Sequence, residues 1–169
     1  MTQPRYSRRL FLLSSAVVSL AACSGVVPGA GAETPADYSD DDWRTLSDAD
    51  WKSRLSPAAH AVLRQEDTER AFTSPLNDEK RAGTFHCAGC DLALFSSDAK
   101  FDSGTGWPSF RDVLPGAIGT RIDKKLFYAR TEYHCARCLG HQGHVFEDGP
   151  APTGLRYCNN GVALTFKPA

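Results

Sequence analysis

Two Cys-x-x-Cys pairs constrain this chain more than any other feature of its sequence. Cys87 and Cys90 form the first pair, and Cys135 and Cys138 form the second. Each pair can place two thiolates on one turn, and two such turns make a closed tetrahedral zinc site with four sulfur ligands. Four protein ligands leave no open position for water, so we predict one structural zinc ion per chain.

Disulfides are the alternative for these four cysteines, because an oxidising compartment would permit them. A disulfide within Cys-x-x-Cys is usually strained and redox-active, so two of them would be an unusual scaffold. The pattern therefore favours zinc. An aromatic-histidine step precedes each pair, and it contributes His86 and His134. We expect these two imidazoles to pack or to support the ligands, since sulfur already fills the site.

Residues 1–22 have the pattern of an export signal, with three arginines followed by the apolar stretch Leu10–Ala22. That stretch matches a signal h-region and is too short to span a bilayer. Ser7–Leu12 resembles the twin-arginine motif, and Leu20–Cys23 resembles a lipobox, in which Cys23 becomes the lipidated first residue. The alternative is a plain secretory signal cut near residues 30–32, which would discard the cysteine.

These patterns predict export to the periplasmic side of a bacterial envelope, with a lipid anchor at Cys23. The twin-arginine route moves folded proteins, so zinc could be bound before transport. Residues 23–42 are small, rich in proline and glycine, and end in an acidic run, which predicts a flexible tether. Residues 43–169 are then the folded domain.

The charge balance excludes several classes of partner. The chain carries 19 basic and 20 acidic side chains. Removing residues 1–22 takes away three arginines and no acidic residue, which moves the net charge from −1 to −4. Such a domain offers no basic field for nucleic acid or for an anionic lipid surface. We expect membrane contact only through the lipid anchor, and we expect a monomer.

Local patterns predict helices first and strands later. Ser47–Asp50 is a capping box, and Ser56 followed by proline places a cap before a helix over Ala58–Arg64. From Gly83 onward, short runs rich in aromatic and β-branched residues alternate with turn residues and indicate strands. These runs are Thr84–Cys87, Leu126–Tyr133, Gly154–Cys158 and Val162–Lys167, and Gly119–Asp123 is expected to form a hairpin with the second. The domain is predicted to be mainly β and mostly antiparallel.

Cys158 remains after the signal and the two pairs are set aside. A lone cysteine is often a small buried hydrophobe. Its neighbours suggest reactivity instead, because Arg156 lies on the same strand face and could favour a thiolate. The amide of Asn160 is next to the sulfur, and upstream His141 and His144 could act as proton donors near neutral pH.

Trp107 lies between glycine and proline in a predicted loop, where an indole is expensive to expose. It is either a buried loop anchor or one wall of an apolar pocket. An indole favours a thioether or a methyl group on sulfur, so the second reading suggests a sulfur-containing ligand.

Six separate stretches resemble the peptide-methionine (R)-S-oxide reductases, the MsrB family, over roughly Ser47–Pro168. They are GTFHCAGC (83–90), KFDSGTGWPSF (100–110), RTEYHCARC (130–138), HQGHVF (141–146), DGPAPTG (148–154) and LRYCNNG (155–161). The resemblance implies two antiparallel sheets flanked by short N-terminal helices, with an MsrB-like catalytic domain over residues 43–169. It also implies thiol-dependent reduction of oxidised methionine in peptides or proteins, here those of the envelope.

The resemblance assigns roles by position. Cys158 matches the nucleophile, which would become a sulfenic acid. Asn160 matches the asparagine that positions the substrate or activates the thiol, and His141 and His144 match the pair at the sulfoxide oxygen. Trp107 matches the tryptophan that encloses the substrate methyl group. The two cysteine pairs match the zinc ligands of the metal-containing branch.

One position departs from many relatives, because Thr105 stands where they carry a resolving cysteine. The zinc cysteines should be unavailable, and Cys23 is either lipidated or removed. We therefore expect an external thiol or a thioredoxin-like protein to reduce the oxidised Cys158 directly.

A zinc-stabilised β module that binds a partner without catalysis is the alternative function. Such a module has no need to keep the group made by Cys158, Asn160, His141, His144 and Trp107, and this chain has all five. A nucleic-acid zinc ribbon would need a basic face, which the net charge does not supply.

Overall fold

The computed structural model describes residues 37–125 and 128–169. The predicted export signal, the lipobox cysteine and most of the predicted tether lie outside the described residues. Within the described part of the chain, no helix is long and apolar enough to cross a bilayer. The first described residues already contact the domain, since Arg137 stacks over Tyr38 and its Nε lies 3.4 Å from Asp41 Oδ2.

Two short helices open the domain at the predicted places. Helix α1 spans Asp48–Arg54, and its capping box is complete because the Ser47 side chain and the Asp50 side chain each accept the other residue's backbone N–H. Helix α2 spans Pro57–Gln65, with Ser56 accepting from the Ala59 N–H and proline in the first turn.

Nine strands in the described residues form two antiparallel sheets. The smaller sheet has the order β2-β1-β9, and the larger has the order β3-β4-β8-β7-β6-β5. Their bounds are β1 Gly83–Cys87, β2 Ala93–Ser96, β3 Lys100–Phe101, β4 Ser109–Phe110, β5 Ile118–Asp123, β6 Arg130–Cys135, β7 His141–Phe146, β8 Arg156–Asn159 and β9 Leu164–Pro168. This confirms the mainly β fold with two antiparallel sheets and short N-terminal helices.

Strand ends differ from the predicted runs for local reasons. The expected hairpin forms, from Ile118 opposite Cys135 to Asp123 opposite Arg130. Strand β6 begins at Arg130, later than the start of the predicted run. At the end of β5, the Asp123 carboxylate accepts the Lys125 N–H, which is typical of a turn. Strand β8 begins after Gly154, whose φ of 69° interrupts an extended backbone.

Aromatic rings fill the space between the two sheets. Phe95 of β2 stacks on Phe110 of β4 with ring centroids 4.1 Å apart, and Phe85 of β1 meets Phe110 edge-on at 4.9 Å. Tyr133 of β6 is fully buried beside them, and its hydroxyl donates to Asn159 Oδ1 at 2.6 Å. Because Asn159 follows Cys158 directly, this buried bond fixes the backbone at the centre of the large sheet.

Candidate active site and metal site

The two Cys-x-x-Cys turns meet, and their four sulfur atoms all lie within 4.8 Å of one another. Cys87 ends β1 and Cys135 ends β6, and a left-handed residue, Asp91 or Leu139, closes each turn. In both turns that residue's N–H donates to the carbonyl of the first cysteine, at 2.8 Å and 3.0 Å. The two turns are therefore equivalent, as the sequence predicts.

The cluster fits a tetrahedral metal ion. Metal–sulfur bonds of about 2.3 Å place the ligand sulfurs roughly 3.8 Å apart. The sulfurs of Cys87 and Cys138 are 3.6 Å apart, and those of Cys90 and Cys135 are 3.5 Å apart. All four side chains are buried and none forms a disulfide. Hydrogen bonds from the neighbouring sulfurs, Cys135 first, raise the pKa of Cys87, so a cation is needed to hold all four as thiolates.

The adjacent histidines do not join the cluster, as expected. His86 Nδ1 lies 2.9 Å from the Asp91 carbonyl oxygen, and His134 Nδ1 lies 3.3 Å from Glu132 Oε2. Gln142 instead contacts the cluster, because its side-chain amide donates a hydrogen bond to the Cys87 sulfur at 3.4 Å.

A separate cavity of about 120 Å³ opens around Cys158. Cys158 lies in β8 opposite Ser109 of β4 on one side and His144 of β7 on the other. The register of three strands therefore places the sulfur and an imidazole side by side. The lining residues are Thr68, Trp107, Arg130, Gly143, His144, Phe146, Cys158, Asn159 and Asn160.

The surroundings of Cys158 hold it mainly as a thiol. Burial raises its pKa, while the charge of Arg156 and hydrogen bonds from Thr105 and Arg156 oppose that shift. The guanidinium of Arg156 makes two 2.8 Å bonds to Asp148 and lies over the Phe146 ring. Arg156 thus acts in the direction that the sequence predicts, but burial outweighs it.

His144 is held by a carboxylate in the neighbouring hairpin. Its Nε2 lies 2.8 Å from Asp123 Oδ2, which also accepts from Arg130 at 2.6 Å. Hydrogen bonds from the Lys125 N–H and from His144 hold the pKa of Asp123 well below its usual range, so this carboxylate is ionised. Burial lowers the pKa of His144 in spite of the carboxylate, which leaves the imidazole mostly neutral near pH 7.

His141 lies behind His144 and does not line the cavity. The two rings are 5.5 Å apart between centroids. His141 Nδ1 lies 2.7 Å from Glu132 Oε1, and both side chains are buried. The structure therefore brings the two predicted imidazoles together but gives them different exposure to a ligand.

Glu69 forms hydrogen bonds with two of the predicted site residues, Trp107 and Asn160. Its carbonyl accepts from Trp107 Nε1 at 3.0 Å, and its N–H donates to Asn160 Oδ1 at 3.0 Å. Its carboxylate accepts the N–H groups of Gly161 and Val162, just after β8. Asn160 also donates to the Gln142 carbonyl at 3.0 Å, so its amide binds backbone groups on both sides.

Thr105 lies at the start of a chain of hydroxyl groups. Its Oγ1 is 2.8 Å from Ser103 Oγ, which is 2.8 Å from Ser109 Oγ. Ser109 in turn donates to the Trp107 carbonyl at 3.1 Å. Thr105 is thus linked through two serine hydroxyl groups to the backbone of Trp107, which lines the cavity.

Comparisons with known proteins agree on one family. The family profile described as "SelR domain" matches residues 55–168. The "Peptide methionine sulfoxide reductase MsrB" of Agrobacterium fabrum is 52% identical over 123 residues, which cover 72% of this chain and 91% of that protein. The protein of the same name from Pseudomonas putida is 54% identical over 121 residues, or 70% and 90% of the two chains.

Among solved structures, the Mis18 "Yippee-like" domain aligns with a TM-score of 0.43 at 16% identity, over 53% of this chain and 98% of that chain. This likeness is too low to assign a fold or a function. The match over residues 55–168 and the relatives above 50% identity do assign the family. This chain belongs to the SelR family, together with its MsrB relatives.

Proposed function

We propose that this chain reduces methionine (R)-sulfoxide in peptides and proteins to methionine, with Cys158 as the nucleophile. The observation that carries the proposal is the pairing of Cys158 with His144 across adjacent strands, inside a cavity that Trp107 walls. The names of the MsrB relatives support the reaction, and the family resemblance supports the R epimer.

The starting state is a neutral pair, because burial raises the pKa of Cys158 and lowers that of His144. The ionised Asp123 accepts a hydrogen bond from the Nε2–H of His144, which leaves Nδ1 as the basic ring position and stabilises the imidazolium. A sulfoxide sulfur is a poor electrophile until its oxygen is protonated. Transfer of the Cys158 proton through His144 to that oxygen therefore creates the nucleophile and activates the electrophile together.

The redox step balances without a cofactor. The Cys158 sulfur attacks the sulfoxide sulfur, the oxygen passes to Cys158, and methionine leaves with two more electrons than the sulfoxide had. Cys158 is then a sulfenic acid. One external thiol condenses with it to form a mixed disulfide and water, and a second thiol releases the Cys158 thiol.

An external thiol, or a thioredoxin-like protein, is the reductant in this proposal. Of the five described cysteines, four form the cluster, which leaves Cys158 with no cysteine partner in the described part of the chain. Thr105 occupies the position of the missing resolving cysteine.

The remaining site residues hold the substrate cavity in shape. Trp107 lines it, where an indole can pack on the substrate methyl group. Asn160 and Arg156 act as positioning residues, Asn160 through its two backbone contacts and Arg156 through its charge next to Cys158. His141 and Glu132 support His144 from behind.

The four-cysteine cluster is proposed to hold one zinc ion. The all-sulfur donor set and the 3.5–3.6 Å sulfur separations support zinc as the metal. A bound ion would cross-link the two turns. With four sulfur ligands it would have no coordination position left for water. Cys87, Cys90, Cys135 and Cys138 would all be ligands.

The sequence patterns of residues 1–42 support a location for the enzyme in the cell envelope. We propose a twin-arginine signal over residues 1–22, a lipid anchor at Cys23, a tether over residues 23–42 and a monomeric catalytic domain over residues 43–169. The enzyme would then repair oxidised envelope proteins from the periplasmic side. Cys23→Ala should move the protein from the membrane fraction to the soluble periplasmic fraction, and continued membrane retention of that variant would contradict the anchor.

Turnover of separated R and S epimers of a methionine sulfoxide peptide, with dithiothreitol as reductant, tests the reaction. We expect reduction of the R epimer alone. Mass spectrometry of the enzyme after one turnover without reductant should show a single added oxygen on Cys158. No turnover of either epimer by folded, metal-loaded protein would instead indicate a binding module.

A further inference from the structure

Phe72 is exposed and its backbone is strained. Its side chain is 75% exposed, and its φ is 66°, a value that is uncommon for residues other than glycine. Neither property stabilises the fold of an isolated domain. Conformations of this kind persist where the surroundings impose them, and they cluster at ligand-binding sites.

The surroundings hold Phe72 beside the tryptophan loop. Its N–H donates to the Gly106 carbonyl at 2.7 Å, and Asn77 Nδ2 donates to the same oxygen at 3.0 Å. The Phe72 ring covers Gly106 so closely that a Cβ at that glycine would lie 2.8 Å from it. Trp107, the next residue, is fixed by its bond to the Glu69 carbonyl. The two aromatic side chains are therefore positioned by one set of backbone contacts.

Phe72 lines a groove that shares a wall with the Cys158 cavity. The groove has a volume of about 200 Å³, and its apolar residues are Phe72, Phe101, Trp107 and Pro108. Trp107 is the residue that lines both spaces. A chain segment that leaves the Cys158 cavity past the indole therefore reaches the groove next.

The polar lining of the groove gives it a charge preference. Asp78 and Asp102 contribute two carboxylates. Lys100 contributes one amine, which donates to the Asn77 carbonyl at 2.8 Å. This amine is partly buried, and burial lowers its pKa. One acidic charge is thus in excess, which disfavours acidic neighbours. The aromatic residues of the groove favour apolar neighbours.

We infer that this groove binds an apolar side chain next to the oxidised methionine in a polypeptide substrate. The inference rests on the proposed function. The 120 Å³ cavity holds the end of one side chain, so the rest of a polypeptide must lie outside it. Adjacent residues of an extended chain are about 3.5 Å apart, which lets a neighbour meet Phe72 while the sulfoxide lies beside Trp107. The substrates favoured are polypeptides with an apolar residue next to the oxidised methionine.

Kinetics of the full chain with three substrates test this inference. The substrates are N-acetylmethionine (R)-sulfoxide and two pentapeptides that carry leucine, or aspartate, on both sides of the methionine (R)-sulfoxide. The variants are Phe72→Ala, Phe72→Leu and the control Tyr128→Ala. Tyr128 is also an exposed aromatic residue (61% exposed), and it lines neither cavity.

We expect Phe72→Ala to lower kcat/KM for the leucine peptide by about fivefold to tenfold, mainly through KM, since it removes much of one aromatic contact. The rate with N-acetylmethionine sulfoxide should stay unchanged, Phe72→Leu should recover most of the loss, and Tyr128→Ala should change the rate with neither substrate. The wild type should prefer the leucine peptide to the aspartate peptide.

Two results would overturn the inference. Equal losses on the peptide and on N-acetylmethionine sulfoxide would show that Phe72 only supports the Trp107 loop. No loss on either substrate would show that the groove is not used. If the wild type turned over none of the three substrates, the proposed function itself would fail and the inference with it, a result that is distinct from the other two.

Discussion

The four-cysteine cluster and the Cys158 cavity place the same functional group in opposite surroundings. In the cluster, four buried sulfurs lie within 4.8 Å of one another and face no open space. In the cavity, one half-buried sulfur faces an imidazole and a space large enough for a ligand. The cluster is suited to a metal because its thiolates need a cation, whereas Cys158 lies opposite His144 of the neighbouring strand, beside a cavity that a ligand can enter. Neighbours, rather than the cysteine itself, decide between the two roles.

Removing one sulfur from each region is the most direct test of these two roles. Cys158→Ser should lower turnover of methionine (R)-sulfoxide by at least about a thousandfold, because a hydroxyl is a far weaker nucleophile. Bound metal, measured by elemental analysis, should stay at one ion per chain, and the thermal midpoint should not change. Residual turnover above a tenth of the wild-type rate would show that another group attacks the sulfoxide.

The matching substitution in the cluster should act on stability. Cys135→Ser leaves three sulfur ligands, so we expect loss of the metal and a decrease of about 5 kcal/mol or more in the free energy of unfolding. A chelator should have a similar effect on the wild type. Denaturant unfolding followed by circular dichroism measures both. If the variant kept its metal and its stability, the cluster would not be the structural site proposed here.

The pH dependence of turnover sharpens the description of the Cys158 cavity. The raised pKa of Cys158 and the lowered pKa of His144 leave one shared proton on the pair between the two values. The rate should therefore be flat around neutral pH. It should fall by about tenfold per pH unit below the His144 pKa, where no proton acceptor remains, and likewise above the Cys158 pKa, where no acid remains.

Alkylation of Cys158 by iodoacetamide gives an independent check. The free thiol should react slowly at pH 7 and faster only as the pH approaches 9 and above. A fast reaction at pH 6 would mean that the Arg156 charge, rather than burial, sets the thiol pKa. His144→Asn should leave this alkylation profile largely unchanged while it lowers turnover.

The smallest expected effect concerns the hydroxyl next to Cys158. Thr105→Val removes a hydrogen bond that lowers the Cys158 pKa, so the alkylation midpoint should rise and turnover should fall by about twofold to fivefold. Thr105→Ser keeps the hydroxyl and should behave like the wild type. In Thr105→Cys, a disulfide to Cys158 should form after turnover, whereas the wild type should show none.

Local chemistry explains which features could be predicted from the sequence. The capping box at Ser47, the N-cap at Ser56 and the paired cysteine turns are encoded by residues a few positions apart, and the structure confirms them. The residues that match a family pattern, such as Cys158 and Trp107, also meet in one cavity.

The supporting residues could not be predicted in the same way. Glu69 is in an irregular loop 38 residues before Trp107, and nothing local marks it as a partner of that ring. Asp123 and Glu132 lie in the predicted hairpin, where alternation alone suggests solvent-facing charges. Their side chains bind His144 and His141 of strand β7. The sequence predicts these two histidines as proton donors but does not predict which strand lies beside β7. Only the structure shows that Glu132 is buried on the central strand β6, where its charge needs partners.

The pairing of β1 with β9 has a consequence for the order in which the chain folds. The smaller sheet joins Gly83 to Pro168, so its central strand pairs with residues far along the chain. Both cysteine turns leave the ribosome before β9 does. The smaller sheet is therefore completed through contacts of long sequence separation, which are slow to form. Metal capture by the two turns, which needs no residue beyond Leu139, would tether the early strands during that interval and shorten the search for β9.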